Sequence, residues 1–490
     1  MDWIVTDWLS AQAAASPNQL ALVVAGEGWR YAKLHQRVSA LCAQCVAMGM
    51  VPGETVATAL PNTLDHICIA YACVRLGLVF VPLNTRLTAQ ELDWQLSRLQ
   101  CRWVIGDDTT VIQAIAAEGR VCLTPHMLWR GDIGHHHLTP IQTPQWQDEP
   151  PMAILFTSGT SGKPKAAMIS RQNIFYNAVG SAARLGSLPT DRWLMCLPLF
   201  HIGGLVMVLR ACLHGVCVVV HGKFEVTAVN DALDHDEITL VSLVPTMLHR
   251  LYEVREGVPA HLRAVLLGGA AASEALLIES QQRKVPVAMT YGLTEATSQV
   301  ATRMPNPINP KYGSVGTPLL FTQVRITNDA GEVMPVNTIG EICVTGPTVM
   351  AGYFDDAAAT AQVIQNGKLR TGDMGYLDDD GELWVVQRRS DLIVSGGENV
   401  YPAEVEVAIR QHAAVADVCV VGLADAVWGQ RVAAMVAVRP GYALTDEVLL
   451  AFCRERLAGY KVPRVFKFVD VLPMTANGKM ARAVVQAQMA

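Results

Sequence analysis

Apolar positions recur along this chain in two alternating rhythms. Leu34–Met48, His66–Leu76 and Gln90–Leu99 carry the three-and-four spacing of a helix with one buried face. Thr55–Leu60 and Val79–Pro82 are short strand-like runs between polar turns. Such alternation over residues 1–100 predicts layered sheets covered by helices. The texture returns from Met152 to about Asp329, where Ala153–Phe156, Val216–Val220, Leu240–Leu243 and Ala264–Leu267 read as strands. Arg120–Pro151 loses periodicity and collects Pro, Gly and His, so it reads as a surface excursion.

Between Val324 and Trp384 the pattern changes to short strands parted by Gly and Asp, which predicts a β-rich subdomain at about 324–388. Asp378-Asp379-Asp380-Gly381 has the chemistry of a hairpin turn rather than of a metal site. After Arg388–Ser390 a separate α/β unit of about 100 residues follows, a usual domain size. Its helices are expected at Glu404–His412 and Asp446–Leu457, its strands at Ala416–Val421, Arg431–Val438 and Val465–Phe468. The expected fold class is α/β, with stacked mixed sheets and helices over residues 1–388 and a smaller α/β domain over 392–490.

Composition narrows the function. The chain is 51% hydrophobic and 17% charged, enough to bury a large core and too apolar for disorder. Its net charge of −6, without a Lys/Arg field, argues against nucleic acid as a partner. Twelve cysteines are scattered without a paired framework, which suggests reduced, buried thiols in a cytoplasmic protein. Cys42 and Cys45 fall within the helix-like run Arg37–Met48, where core packing explains their spacing. His135–His137 read as a solvated loop rather than a metal site. Met1–Asp7 has no basic stretch ahead of an apolar one, so no signal peptide is expected. Ile202–Val220 is apolar enough to suggest a membrane span, but Arg210 and His214 lie near its middle. A buried helix running into a core strand fits better, and no membrane span is expected.

The strongest local signal is Phe156-Thr157-Ser158-Gly159-Thr160-Ser161-Gly162-Lys163-Pro164-Lys165, directly after an apolar strand. Glycines let backbone N–H groups approach a polyphosphate, hydroxyls donate to it and lysines neutralise it. The spacing is not that of G-x-x-x-x-G-K-[ST], since Pro164 stands where Ser or Thr is required.

This loop resembles the signature of the adenylate-forming superfamily, which includes acyl-CoA synthetases, luciferases and peptide-synthetase adenylation domains. The likeness continues in order along the chain. Tyr291-Gly292-Leu293-Thr294-Glu295 resembles the segment at the α-phosphate and magnesium, with Glu295 as the metal ligand. Thr371-Gly372-Asp373 resembles the segment holding the ribose hydroxyls, and Arg388 the arginine beside it. Ser395–Glu404 resembles the turn opening a mobile lid domain, and Asn477-Gly478-Lys479 the terminal lysine motif. Gly268, Gly269 and Ala270 end the strand where the resemblance places adenine. It also implies a hinge at 389–391 carried by Arg389 and Ser390, with the C-terminal domain as lid.

The implied activity is an ATP-dependent carboxylate–CoA ligase working through an acyl-adenylate, with ATP, Mg²⁺ and coenzyme A. Lys479, His201, Thr294 and Glu295 would take the catalytic roles, placing charge where anions meet. Taken singly, Lys479 has a plainer explanation as a solvated lysine in an Asn-Gly turn, Asp373 and Glu295 as surface acids in turns, and Glu295 also as a helix N-terminal charge. Asp191–Leu205 resembles the family's gate segment, with His201 lining the acyl pocket beside Gly292. Its wording, together with Arg388–Ile393 and Gly396–Asn399, is most similar to the o-succinylbenzoate–CoA ligases of menaquinone synthesis. That acid is a dianion, and Arg210 is the candidate partner for its unreacted carboxylate. Counted along a helix, Arg210 and His201 fall on opposite faces, so sharing a pocket requires Gly203-Gly204 to be non-helical. The alternative for Arg210 is a snorkelling surface arginine. Where some ligases of this subfamily carry Ser, this chain has Gly203. Other acids (malonate-, benzoate- or medium-chain-type), and a stand-alone domain loading a carrier protein, stay open as alternatives. So does assembly into a homo-oligomer.

Overall fold

Val79–Pro82, Leu240–Leu243 and Ala264–Leu267 are buried at every position, as parallel strands covered on both faces must be. They belong to a computed structural model that describes residues 7–107, 119–130, 150–157, 164–306, 308–387, 392–473 and 480–490. The chain divides into two compact units, one of residues 1–85, 96–155 and 166–387, the other of 86–95, 156–165 and 388–490. Ser158–Lys163, the proposed hinge with Arg388, Arg389 and Ser390, the Lys479 motif and His135–His137 lie outside the described residues.

Among the described residues the first unit holds sheets of nine, seven and five strands. In the middle of the nine-stranded sheet, Arg192–Met195 runs parallel to Cys217–Val220 on one side and Leu240–Leu243 on the other. The chain builds outward on the first side, then returns and adds Ala264–Leu267 and Val287–Leu293 on the second. The carboxyl end of Arg192–Met195 is therefore a topological switch point, where open α/β sheets leave a crevice for ligands. The seven-stranded sheet has the same feature at Thr55–Ala59, flanked in parallel by Val79–Pro82 and Trp103–Gly106.

The helices follow their local chemistry. Leu64–Leu76 opens where the Thr63 side chain accepts from His66 N and closes at Gly77 in the left-handed region (φ 68°). It is buried almost all round, and Tyr71 donates to Val208 O of the Ile202–His214 helix at 3.0 Å. The apolar run Ile202–Val220 is that helix followed by the strand Cys217–Val220. No described helix is long and apolar enough to cross a membrane.

One expectation needs correction. The start of Arg120–Pro151 is ordered structure: Val121–Leu123 pairs in parallel with Trp103–Gly106, and Pro125–Arg130 is helical. A three-residue edge strand is too short to show a period. The β-rich segment forms an antiparallel sheet of Gln323–Thr327, Gly340–Thr345, Lys368–Leu377 and Leu383–Gln387. Its acidic run is the turn between the last two, with Asp378 and Asp380 each 2.6 Å from Lys311 Nζ.

In the second unit, Val415–Asp425 and Gly429–Val438 form a long hairpin, and Val465–Val469 joins it in parallel. Buried Lys461 pairs with Glu404 at 2.6 Å, and Arg482 with Glu406 at 2.6 Å. All twelve cysteines are free, eleven of them buried. Burial pushes Cys45, Cys101 and Cys212 up to about 12, which leaves them unreactive.

Candidate active site

The switch point of the nine-stranded sheet supplies the first wall. Beyond Met195 the chain runs through Cys196–His201, and His201 N donates to Pro198 O at 3.1 Å, tightening a turn. His201 is then the N-cap of Ile202–His214, in extended backbone (φ −95°, ψ 142°), its ring 4.6 Å from that of Phe200. Gly203 and Gly204 are helical. A Cβ on Gly204 would overlap Pro198 O, whereas one on Gly203 would only touch Leu197 Cδ1 at 3.6 Å.

Arg210 lies in the third turn of that helix and is 3% exposed, which excludes the surface alternative. Its Nη1 donates to Ser181 Oγ and Gln299 Oε1, both at 2.7 Å, and Nη2 to Asn177 Oδ1 at 3.2 Å. The guanidinium also stands 5.3 Å from the Trp193 ring centroid. Every one of these partners is neutral. Nε has no hydrogen-bond partner among the described residues, and none of their carboxylates pairs with Arg210. Burial accordingly lowers its pKa to about 10, with no acid to raise it again.

The condition set by helical facing is not met, because Gly203-Gly204 is helical. His201 nevertheless precedes the helix in extended backbone, so its direction does not follow the helical count. The two residues lie about 13 Å apart along the axis, and helical side chains lean toward the N-terminus, which shortens the gap.

The other motif residues lie on or just beyond separate strands. At Gly268 a Cβ would meet Thr290 Cγ2 at 2.6 Å, and Gly269 has φ +78°, so the strand and turn themselves require both glycines ahead of Ala270. At Gly292 a Cβ would overlap Ser298 O, where the register shifts between Tyr291 and Gly292. That bulge leads into the short helix Thr294–Ala296. Glu295 Oε1 accepts from Tyr353 Oη at 2.8 Å. Tyr291 Oη donates to Asp373 Oδ2 at 2.7 Å, and Gly372, at φ +76°, donates its N–H to Glu341 Oε1 at 3.0 Å. Thr157 ends the strand Ala153–Thr157, its hydroxyl 3.4 Å from Lys165 O.

Magnesium fits this donor set. No group of three His, Cys, Asp or Glu is assembled among the described residues. A magnesium ion held through the Glu295 carboxylate would complete its octahedron with phosphate oxygens. Sequence reasoning missed Tyr353 and the Asn177–Ser181–Gln299 cradle of Arg210. None sits in a charged or glycine-rich motif, so only the fold brings them into view.

Comparison with known proteins identifies the family. The family model "AMP-binding enzyme" matches residues 9–354, and "AMP-binding enzyme C-terminal domain" matches 404–479. A 2-succinylbenzoate–CoA ligase of Bacillus cereus is 38% identical over 97% of both chains. A double mutant of the o-succinylbenzoate CoA synthetase of Bacillus subtilis, bound with a product analogue, is 36% identical over 98% of each chain, with a TM-score of 0.90. The same enzyme in complex with its acyl-adenylate intermediate is 36% identical over 98% of each chain, with a TM-score of 0.73. This chain belongs to the AMP-binding enzyme family.

Proposed function

We propose that this protein is an ATP-dependent ligase joining o-succinylbenzoate to coenzyme A, in the cytoplasm, as a step of menaquinone synthesis. A carboxylate oxygen of the acid attacks the α-phosphorus of ATP, the bond to the bridging oxygen breaks and pyrophosphate leaves. The thiol of coenzyme A then attacks the acyl carbon, loses its proton and expels AMP. Three of the chain's groups would serve the first step. Asp373 would hold the ribose hydroxyls, Lys479 would place a positive charge between the two approaching anions, and His201 would line the acyl pocket. Magnesium bound through Glu295 supplies further neutralisation of phosphate charge.

The observation that carries the choice of acid is Arg210. A buried guanidinium with only neutral partners among the described residues is a charge without its counter-ion there, and leaving it so costs several kcal/mol. The unreacted carboxylate of a diacid would complete the pair. Twelve free thiols support a reducing compartment.

The test is Arg210→Ala assayed with o-succinylbenzoate and with an analogue lacking the second carboxylate. Losing one half of a desolvated pair lowers kcat/KM by roughly 100- to 1,000-fold for the diacid. The analogue, already poor with the parent enzyme, should lose little further. If the parent enzyme uses both acids equally well, the diacid assignment fails.

A further inference from the structure

Asn62 follows Thr55–Ala59, at the carboxyl end of the strand where the seven-stranded sheet switches direction. Its side chain does not stay with that sheet. Nδ2 donates to Leu197 O at 3.0 Å and to His221 O at 3.1 Å, and Oδ1 accepts from Leu199 N at 3.0 Å. Both N–H groups and the carbonyl of the amide are thereby used, at a residue only 5% exposed.

The three acceptors and donors are not scattered. Leu197 and Leu199 flank Pro198 in the segment beyond Met195, where strand pairing has stopped. His221 follows the adjacent strand Cys217–Val220, and its own N–H donates to Met195 O at 2.9 Å. A carboxamide has the geometry of a peptide group, so Asn62 pairs with the Leu197–Leu199 backbone as a neighbouring strand would. One side chain thus ties the switch point of one sheet to that of the other. On the far side of the same turn, Gly204 admits the Pro198 carbonyl only because it has no Cβ.

We propose that Asn62 is a positioning residue for acid recognition: it fixes the Cys196–His201 turn, and through it the placement of His201 and the start of the Ile202–His214 helix. This rests on His201 lining the acyl pocket. Asn62 spends its amide on the protein backbone and would act only through the turn. Its loss lets the turn move, and displacement of about an ångström at a reacting group can lower rates by around 100-fold. The nucleotide contacts at Tyr291 and Asp373 hang on other strands, so they should be unaffected.

The test measures KM for the acid and for ATP by ATP–pyrophosphate exchange in Asn62→Ala, Asn62→Ser and His201→Ala, with AMP affinity measured directly on each soluble variant. Asn62→Ala is expected to raise the acid KM about 10-fold or more while ATP KM and AMP affinity stay within about twofold. Asn62→Ser, retaining one hydroxyl, should fall between it and the parent, which also covers an Ala variant too unstable to assay. Equal changes in the acid and ATP constants, or no change in either, overturn the proposal. If His201→Ala raises the acid KM and neither Asn62 variant does, the positioning role alone fails. If His201→Ala leaves the acid KM unchanged, the gate role fails and the positioning role with it.

Discussion

Tyr291 Oη donates to Asp373 Oδ2 at 2.7 Å, joining two motifs that stand 82 residues apart in the chain. The tyrosine is 1% exposed, so its ring cannot swing away. The bond directs the Asp373 carboxylate, the proposed acceptor of the ribose hydroxyls. Hydrogen bonds to a charged group are worth about 1.5–3 kcal/mol. Tyr291→Phe should therefore weaken ATP binding about 10-fold and narrow the preference for ATP over 2′-deoxy-ATP, with the acid KM little changed. An unaltered preference in a folded variant would show that Asp373 is oriented by other groups.

Glu295, the proposed magnesium ligand, accepts from Tyr353 Oη in a second such pair. Glu295→Gln keeps the shape and removes the charge, so it should raise the magnesium concentration needed for half-maximal activity more than it raises the acid KM. Tyr353→Phe should act in the same direction, because loss of an outer partner commonly lowers metal affinity or activity about 10- to 100-fold. Electron paramagnetic resonance of Mn²⁺ bound with a non-hydrolysable ATP analogue reads this without turnover. Unchanged Mn²⁺ affinity in both variants would make the pair structural.

Gly203 and Gly204 are neighbours with opposite tolerances. A Cβ at Gly203 makes an ordinary 3.6 Å contact, so Gly203→Ser should fold normally. If its hydroxyl reaches the acid, it lowers the acid KM several-fold, in keeping with about 0.5–1.5 kcal/mol for a hydrogen bond. Gly204→Ala would force a methyl into Pro198 O. Overpacking of this kind costs about 1–3 kcal/mol, so Tm should fall by several degrees and the acid KM should rise. Normal Tm and acid KM in Gly204→Ala would contradict the packing described for the turn.

Much of the fold was legible in the order of residues. Val79–Pro82 and Leu240–Leu243 stand out because a strand buried on both faces is an unbroken apolar run between polar turns. Val121–Leu123 did not, since three residues carry no period and pairing with Trp103–Gly106 is what makes them a strand. Two motifs that stand out in the sequence, Tyr291–Glu295 and Thr371–Asp373, are joined in the structure by the Tyr291–Asp373 bond. The site was hidden where neutral side chains from distant elements converge. Ser181 and Gln299, which hold Arg210, lie 29 and 89 positions from it. Gly268-Gly269 was legible as a special backbone, but its visible cause is Thr290 and a positive φ in the turn. Asn62 belongs to no motif in the sequence, and only its three bonds distinguish it.

The most direct test of the account is ATP–pyrophosphate exchange with the purified protein, run across about twenty acids and followed by AMP release on adding coenzyme A. The account predicts exchange that depends on o-succinylbenzoate and needs no coenzyme A, then stoichiometric AMP and thioester once the thiol is supplied. Absence of exchange with o-succinylbenzoate, alongside robust exchange with a monocarboxylic acid, would contradict it.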